Sequence, residues 1–401
     1  MSRIRPQLTH LRENIQNRLL ARKLATLLQL YLFIDTDRLI HKIRRNRCQS
    51  IMFSLKRLSM VLFQMSHFGR FLYMELTYRD NPQTLFMMGD IYQSFGGQIS
   101  IYFAASIAYA SLQVCLSIYT WYAMSGSMSR KVIKKFLIPL QVIGGQMAPK
   151  SIGLDQNQLV TLRGQAKKVY YACVHAPLFL TMIFAIYIPS YYWFKYDLDQ
   201  YWLNCLIAYP FWLYWVYLQI ATHCVSLAYF YLLCLALKLR IQKFNHKLVN
   251  IGNNRLSISQ TMKLIVEHYR VCEQISIYNR YWSKFLYASL QCFLPLTTLM
   301  IYIAFFPDCP PLLKIAFYNS ILDFVVILSF TCCSAAAISC QLYKLHSPMV
   351  SLVHRTQMSW YSKWKLLNSM QVYGSTSTTL GFTCGPFFVL TYQSYLTVSV
   401  V

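Results

Sequence analysis

The chain has 401 residues, of which 56% are hydrophobic and 13% are charged, and its formal net charge is +25. Because soluble domains carry about 25% charged residues, this composition excludes an ordinary soluble protein of this length. A basic excess on a soluble protein would indicate a nucleic-acid partner. In a membrane protein, basic residues collect in cytoplasmic loops instead, so we expect no nucleic-acid partner.

The first predicted region, residues 1–58, is basic, with 13 Lys/Arg against three acidic residues. Its apolar run, 24–34, is too short to cross a bilayer, and it leads into Asp-Thr-Asp instead of the small residues of a signal-peptide cleavage site. We therefore predict a packed or surface-lying helix there and assign the whole region to the cytoplasm.

Apolar blocks of about 20 residues follow, long enough at ~1.5 Å per residue to cross a hydrocarbon core of ~30 Å. The first candidate, 59–78, is the most polar, since it contains His67, Arg70 and Glu75. Such a helix is tolerated when it packs inside a bundle. The alternative, an amphipathic surface segment, leaves six spans. The other six predicted spans are 101–122, 169–193, 202–236, 285–306, 314–343 and 383–401.

Charge alternates between the segments that connect these blocks. Segments 123–168, 237–284 and 344–382 contain eight, nine and four Lys/Arg, respectively, against one, two and no acidic residues. Because cytoplasmic loops are enriched in Lys and Arg, the sequence predicts an all-α, polytopic helical membrane protein with seven transmembrane helices in residues 59–401. Its predicted topology is inverted, with the N-terminus in the cytoplasm and the C-terminus extracellular. We expect a multi-pass protein of the plasma membrane.

Segment 237–284 has a helical pattern of its own. Apolar residues recur every three or four positions in 233–250 and again in 264–275, on either side of the turn-like sequence Asn-Ile-Gly-Asn-Asn. We predict that the two flanking spans continue as long helices into the cytoplasm and meet there, with 342–353 and 360–372 as a second pair of extensions. Packing within the chain and association between subunits both explain these amphipathic helices.

Two local sequences carry a resemblance to a known family. Residues 264–283, LIVEHYRVCEQISIYNRYWS, resemble the inner helix that leads into the fifth span of arthropod gustatory and odorant receptors. Residues 385–390, Gly-Pro-Phe-Phe-Val-Leu, resemble the element that leads into their seventh span. The predicted architecture is similar over nearly the whole chain, and it resembles a divergent gustatory-type member more than an odorant receptor.

The resemblance implies a function and an assembly. Members of this superfamily are ligand-gated, non-selective cation channels that assemble as tetramers, with the inner helices as the central anchor and the seventh span in the pore. It therefore implies a chemosensory receptor channel, in a homo- or hetero-tetramer with related subunits, that a small-molecule tastant opens. Because the channel lies in the lipid bilayer, lipid is its second partner.

The last predicted span contains the candidate pore-lining residues, Thr391, Gln393, Ser394 and Thr397. In one alignment Thr391 and Tyr392 match the family's Thr-Tyr pair, and Val398 then occupies the position of the family's Gln. From Gly385 the chain has 17 residues, at the lower limit of the ~17–25 that cross a bilayer. In the other alignment these residues only lead into the pore helix. Helix contacts through Ser and Thr are the structural alternative.

The candidate ligand-binding residues are an intramembrane acid and four aromatic residues. Asp323 is predicted near the bilayer middle, where an acid costs ~2.5–3.5 kcal/mol and is a functional candidate by default. It contacts either a ligand or ion, or a partner helix. Aromatic residues in the outer halves of spans are either interfacial anchors or the wall of a small-molecule pocket. The four are Tyr191, Trp202, Trp212 and Phe305.

Other classes of function are weighed by features that they require. A membrane enzyme would cluster His or acidic residues on neighbouring spans, and His175, His223 and Asp323 are too scattered for that. We therefore expect no enzyme activity, catalytic residue, metal or cofactor. A transporter would show internal repeats, and none is present. A non-conducting chemoreceptor subunit and a multi-span transporter stay as the alternatives to a channel.

Overall fold

The structure is a computed structural model, and its described residues are almost entirely α-helical, which confirms the predicted all-α fold class. It describes residues 4–31, 47–77, 111, 115, 130–195, 202–251, 257–305, 311–356, 359–364, 381–385 and 388–394. The long helices are α1 (Ile4–Tyr31), α2 (Arg47–Thr77), α3 (Arg130–Ile143), α4 (Gln156–Lys195), α5 (Trp202–Ile251), α6 (Ile258–Phe305) and α7 (Pro311–Arg355). A short antiparallel hairpin of β1 (Thr383–Cys384) and β2 (Phe388–Val389) follows.

Two helices begin at capping boxes that the local sequence supplies. At the start of α4, Gln158 N–H donates to Asp155 Oδ1 at 2.9 Å, and Asp155 N–H donates to Gln158 Oε1 at 3.2 Å. Ser257 and Gln260 make the same reciprocal pair at the start of α6. Each pair satisfies backbone N–H groups that have no partner in the first helical turn, and so fixes where the helix begins.

The helices α5, α6 and α7 contain 50, 48 and 45 residues, and at ~1.5 Å per residue each is about twice as long as a bilayer core is thick. Since α5 reaches Ile251 and α6 begins at Ile258, the predicted continuation of both helices through 237–284 is confirmed. The predicted extension of α7 is confirmed as far as Arg355.

Near the connection between α5 and α6, these helices pack closely against one another. Phe230 of α5 contacts the Trp282 ring at 4.8 Å and the Phe382 ring at 5.0 Å between centroids, and all three side chains are fully buried. Further inward, Thr261 and Thr356 share a hydrogen bond at 3.1 Å. The amphipathic faces predicted in 237–284 are therefore covered by other helices of the same chain.

The N-terminal helices pack on this bundle. Leu24, Ala25 and Leu28 of α1 are buried, so the described part of the apolar run, 24–31, belongs to a packed helix, which is one of the two predicted alternatives. The Tyr31 and Tyr217 hydroxyls share a hydrogen bond at 2.8 Å. Helix α2 runs without interruption through 59–77, and its His67 is buried against the bundle.

The predicted spans map onto the helices with one difference. Spans 169–193, 202–236 and 314–343 lie within α4, α5 and α7, and 285–305 lies within α6. Span 101–122 lies outside the described residues except for Ser111 and Cys115, which are both helical. Among the described helices, Tyr209–Ile251 and Ile258–Tyr302 are long and apolar enough to cross a membrane.

The difference is at the predicted last span, 383–401, which does not begin as a helix. Thr383 pairs with Val389 and Cys384 pairs with Phe388, so its first residues form a hairpin. The turn contains Gly385, whose φ of 56° is left-handed and favours glycine. Gly385, from which the sequence analysis counted the residues of this span, therefore lies in a turn and not in a helix.

Candidate functional site

The C-terminal hairpin (residues 382–390) is attached to α6 by hydrogen bonds from two side chains. Thr383 N–H donates to Asn279 Oδ1 at 2.8 Å, and Asn279 Nδ2 donates to Thr383 Oγ1 at 3.2 Å. One turn further along α6, Thr383 Oγ1 donates to Ser283 Oγ at 2.8 Å, and Gly385 N–H donates to the Ser283 carbonyl at 3.0 Å. Asn279 and Ser283 together therefore fix the first strand on α6.

The other end of the hairpin is attached to α7. Ser339 Oγ donates to the Leu390 carbonyl at 3.1 Å, while Leu390 N–H donates to the Phe382 carbonyl at 2.8 Å and closes the hairpin. At Gly385, a Cβ atom would lie 3.0 Å from the Tyr287 ring. Glycine is thus required there both by the backbone angle and by the close approach to α6.

The predicted pore-lining residues lie directly after this hairpin. Thr391 N–H donates to Ser394 Oγ at 2.7 Å, and Ser394 N–H donates to Thr391 Oγ1 at 3.0 Å. These two hydroxyls therefore form a reciprocal cap that starts a helix at this point. Gln393 is exposed, and Thr397 lies outside the described residues. Pore lining by these four residues stays a prediction.

Of the predicted ligand-binding residues, the structure describes the side chains of Trp212 and Phe305. Trp212 is buried in α5 with its ring parallel to Tyr209 at 6.1 Å, whereas Phe305 is 64% exposed at the end of α6 and contacts the Tyr318 ring edge-on at 5.5 Å. Tyr191, Trp202 and Asp323 are helical residues of α4, α5 and α7, and their side chains lie outside the described part of the structure.

A polar contact joins α2 and α5 in the middle of the predicted membrane region. Gln219 Nε2 donates to Gln64 Oε1 at 2.6 Å, and both side chains are buried. One helical turn away, the His67 ring stacks on the Trp215 ring at 5.0 Å between centroids. Of the polar residues that make 59–78 a poor apolar block, His67 thus contacts α5, one turn from the Gln64 contact.

A cavity of about 20 Å³, close to the space of one water molecule, lies between the C-terminal hairpin and the bundle. Its lining is mainly apolar, with Leu227, Leu286 and Leu328 from the three long helices and Cys384 and Leu390 from the hairpin. Ser289, Leu290, Thr331 and Cys332 complete the lining. The hairpin therefore closes a small cavity that residues of α5, α6 and α7 also line.

Segment 237–284 of α5 and α6 also contains buried and half-buried titratable groups. Arg240 donates to Gln274 Oε1, and Gln274 Nε2 donates to the Tyr278 hydroxyl at 2.8 Å. Burial lowers the pKa of Arg240 and raises the pKa of Tyr278 to about 12. Burial also raises the pKa of the Cys272 thiol to about 11. Tyr278 and Cys272 are therefore uncharged at neutral pH.

Comparison with known proteins identifies the fold. The structure superimposes on the insect olfactory receptor OR5 from Machilis hrabei with a TM-score of 0.60 and 10% sequence identity, over 98% of this chain and 96% of that chain. The complex of OR5 with eugenol gives a TM-score of 0.57, with 11% identity over 97% and 96% of the two chains. No family model matches the sequence. No curated protein matches it either.

The chain therefore has the fold of a helical insect olfactory receptor, and the predicted resemblance to arthropod gustatory and odorant receptors is confirmed at the level of fold. The sequence analysis did not identify Asn279, Ser283 and Ser339 as hairpin contacts. The available signal was the Gly385–Pro386 pair, because Gly-Pro marks a turn more often than a helix start.

Proposed function

We propose that the protein is a chemosensory receptor of the insect gustatory and odorant receptor type, which acts as a ligand-gated, non-selective cation channel for a small-molecule tastant. The observation that supports this proposal most strongly is the shared fold with OR5 over 98% of this chain. No enzyme activity is proposed. The protein is placed in the plasma membrane with seven spans, a cytoplasmic N-terminus and an extracellular C-terminus.

The exposed surface agrees with this placement. The predicted span in α4 has Phe179, Met182 and Ile186 exposed on its surface, and the predicted span in α7 has Leu322 and Val326 exposed. A soluble protein rarely leaves such contiguous apolar surface open, whereas lipid tails cover it without cost. Because the connecting segments are basic, their cytoplasmic placement follows the positive-inside rule.

Exposed aromatic residues in a short helix after α7 support the proposed assembly into a homo- or hetero-tetramer. Trp360, Tyr361 and Trp364 are each more than half exposed in a short helix that follows α7. This helix follows the inner end of α7, where lipid would not cover it, and exposed Trp and Tyr side chains are enriched at protein interfaces. In such a tetramer, Thr391, Gln393, Ser394 and Thr397 are the proposed pore-lining residues.

The ligand is proposed to bind near Asp323, Tyr191, Trp202, Trp212 and Phe305, as aromatic residues with one acidic group suit a small organic molecule. OR5 binds eugenol, so eugenol is a reasonable first probe for this chain. A panel of sugars, bitter plant compounds and phenols extends the search.

The test is a recording of cation current in cells that express the full chain at their surface. We expect a compound of the panel to evoke a current carried by both Na⁺ and K⁺, and we expect Asp323→Asn to shift its concentration dependence. Surface delivery without any evoked current, alone or with related receptor subunits, would contradict the channel. Antibody access to a tag after Val401 tests the topology separately, since labelling of intact cells requires an extracellular C-terminus.

A further inference from the structure

The outward face of α2 carries an apolar stripe along nearly the whole helix. Its members recur at helical spacing and are each at least 45% exposed: Ile51, Leu55, Leu58, Leu62, Met65, Leu72 and Leu76. The opposite face, with Gln64 and His67, is buried and contacts α5. Because the stripe keeps to one side of the helix, one apolar environment can cover all of it.

This stripe is longer than the hydrocarbon core of a bilayer. From Ile51 to Leu76 the helix rises about 37 Å at ~1.5 Å per residue, against a core of ~30 Å. With Leu76, the last member of the stripe, at the outer boundary of the core, the inner boundary falls near position 56. Residues 51–56, which belong to the region that the sequence analysis assigned to the cytoplasm, therefore reach the lipid headgroups.

Basic residues lie at this inner boundary and on its cytoplasmic side. Lys56 is exposed and is followed by Arg57, Arg47 begins the helix, and α2 contains no acidic residue before Glu75. The cytoplasmic leaflet of a cell membrane holds anionic phospholipids, and Lys and Arg beside a span are attracted to their headgroups. A lysine side chain reaches a headgroup while its methylene groups stay on apolar surface. The inner end of α2 therefore combines an apolar stripe with positive charge.

A second copy of this chain suits this surface less well than lipid does. Each copy has a formal net charge of +25, and residues 1–58 contain 13 Lys/Arg against three acidic residues. Two such basic surfaces would repel each other. The stripe also continues through Leu62 and Met65 into the predicted span, where lipid tails would cover the same face of the helix.

We propose that residues 47–58 of α2 lie in the headgroup region of the cytoplasmic leaflet and bind anionic phospholipid through Lys56 and Arg57. Bound anionic lipid thereby anchors the inner end of α2, whose Gln64 and His67 contact α5. The inference rests on the proposed membrane placement, with the N-terminus in the cytoplasm, and does not depend on ion conduction.

The first experiment places a fluorescent amino acid at Leu55 of the purified full chain in lipid nanodiscs. Its quenching is measured with phosphatidylserine and with phosphatidylcholine, each brominated near the start of the acyl chains and present at equal mole fraction. The same fluorophore at Leu322, an exposed residue of the predicted span in α7, reports membrane placement. At Val266, an exposed residue of segment 237–284, it reports a position away from lipid.

We expect quenching at positions 55 and 322 and none at 266. Because the headgroup contact is made by the inner end of α2, phosphatidylserine should quench more strongly than phosphatidylcholine at position 55, and the two lipids should quench equally at 322. Absence of quenching at both 55 and 322 would contradict the proposed membrane placement and this inference with it. Quenching at 322 alone, or equal quenching by the two lipids at 55, would overturn only this inference.

Charge variants test the headgroup contact itself. A basic residue near the membrane surface strengthens the attraction of anionic lipid about fivefold, so we expect Lys56→Gln to lower the preference for phosphatidylserine by that factor. Lys56→Arg keeps the charge and should keep the preference. Lys263→Gln is the matched control, because Lys263 is an exposed lysine near the start of α6, far from the predicted span, and its loss should change nothing.

Salt tests the same contact without any substitution. Raising the ionic strength from ~0.1 M to ~1 M shortens the screening distance from ~10 Å to ~3 Å and should reduce the preference of the wild type for phosphatidylserine. A preference that neither salt nor Lys56→Gln changes would overturn the proposal. A photo-crosslinker at Leu55 that joins two copies of the chain instead of reacting with lipid would also overturn it, and would assign this surface to contact between subunits.

Discussion

The two halves of α6 differ in the side chains that they bury and expose, although they belong to one continuous helix. In its first half, Val271, Ile275 and Tyr278 are buried at helical spacing, and the remaining face mixes charged residues with exposed apolar ones such as Val266 and Tyr269. In its second half, Leu294, Ile301, Tyr302 and Phe305 are each at least 40% exposed. The first half therefore has a buried apolar stripe and an outer face of mixed charged and apolar residues, whereas the second half, 285–305, contains no charged residue.

This difference indicates what surrounds each half. The first half is covered by α5, α7 and the C-terminal hairpin, so its stability comes from the burial of apolar surface from water. The second half gains little from such burial within the chain and needs an apolar environment around it. The boundary between them falls near Trp282 and Phe285, where the predicted span begins.

The largest effect is expected from Trp282→Ala in the first half. Trp282 is fully buried and contacts Phe230 at 4.8 Å and Phe285 at 5.1 Å between ring centroids. The cavity that this change leaves should cost ~3–5 kcal/mol of unfolding free energy. The measurement is the melting temperature of the detergent-purified chain, with Phe305→Ala, which removes an exposed ring, as the control that should change it little.

Substitution of one exposed residue in each half by lysine tests most directly whether the two halves have different surroundings. Leu294 is 40% exposed in the predicted span, and Val266 is 43% exposed in the inner half. We expect Leu294→Lys to cost ~2.5–3.5 kcal/mol of membrane insertion and Val266→Lys to cost close to nothing. For both variants, surface biotinylation measures delivery to the cell surface, and a glycosylation-tag insertion assay measures membrane insertion. Equal tolerance of both changes would mean that water surrounds both halves.

The reactivity of Cys272 tests burial in the first half. Burial raises the pKa of its thiol from 9.0 to about 11, so the thiolate fraction at pH 8 should be lower by a factor of about 100. Its contribution to stability is present below pH 9 and is lost as pH rises through about 11, since the folded state favours the protonated thiol. Mass spectrometry should show slow alkylation in the native chain and rapid alkylation after denaturation.

We expect the smallest of these effects from substitutions at the Gln64–Gln219 contact. They test how much a buried polar contact contributes to stability inside the predicted membrane region. Changing either residue alone to Leu leaves a buried amide without this partner and should cost ~1–3 kcal/mol. Changing both should return stability to within about 1 kcal/mol of the wild type, because a matched apolar pair needs no partner. A double variant as unstable as the sum of the single variants would show that the two amides act independently.

Much of the fold was predictable from local sequence. Asp155 with Gln158 and Ser257 with Gln260 have the spacing of capping boxes, and the pattern in 264–275 fixes the buried face of α6. The candidate site was less predictable, because Trp212 and Phe305 are both aromatic residues near predicted span ends, yet one is buried and the other exposed. Local patterns cannot distinguish such positions, since the neighbouring helices decide burial.

The sequence by itself determined the helical class, the length of the apolar blocks and the sign of the net charge of the segments between them. These properties depend on composition and on spacing along one helix. Only the tertiary structure decided the conformation of residues 383–385 and 388–394. A Gly-Pro pair is compatible with a turn and with a first helical turn. The choice depends on Asn279, Ser283 and Ser339, which lie 51 to 104 positions away along the chain and form the hydrogen bonds that hold the hairpin.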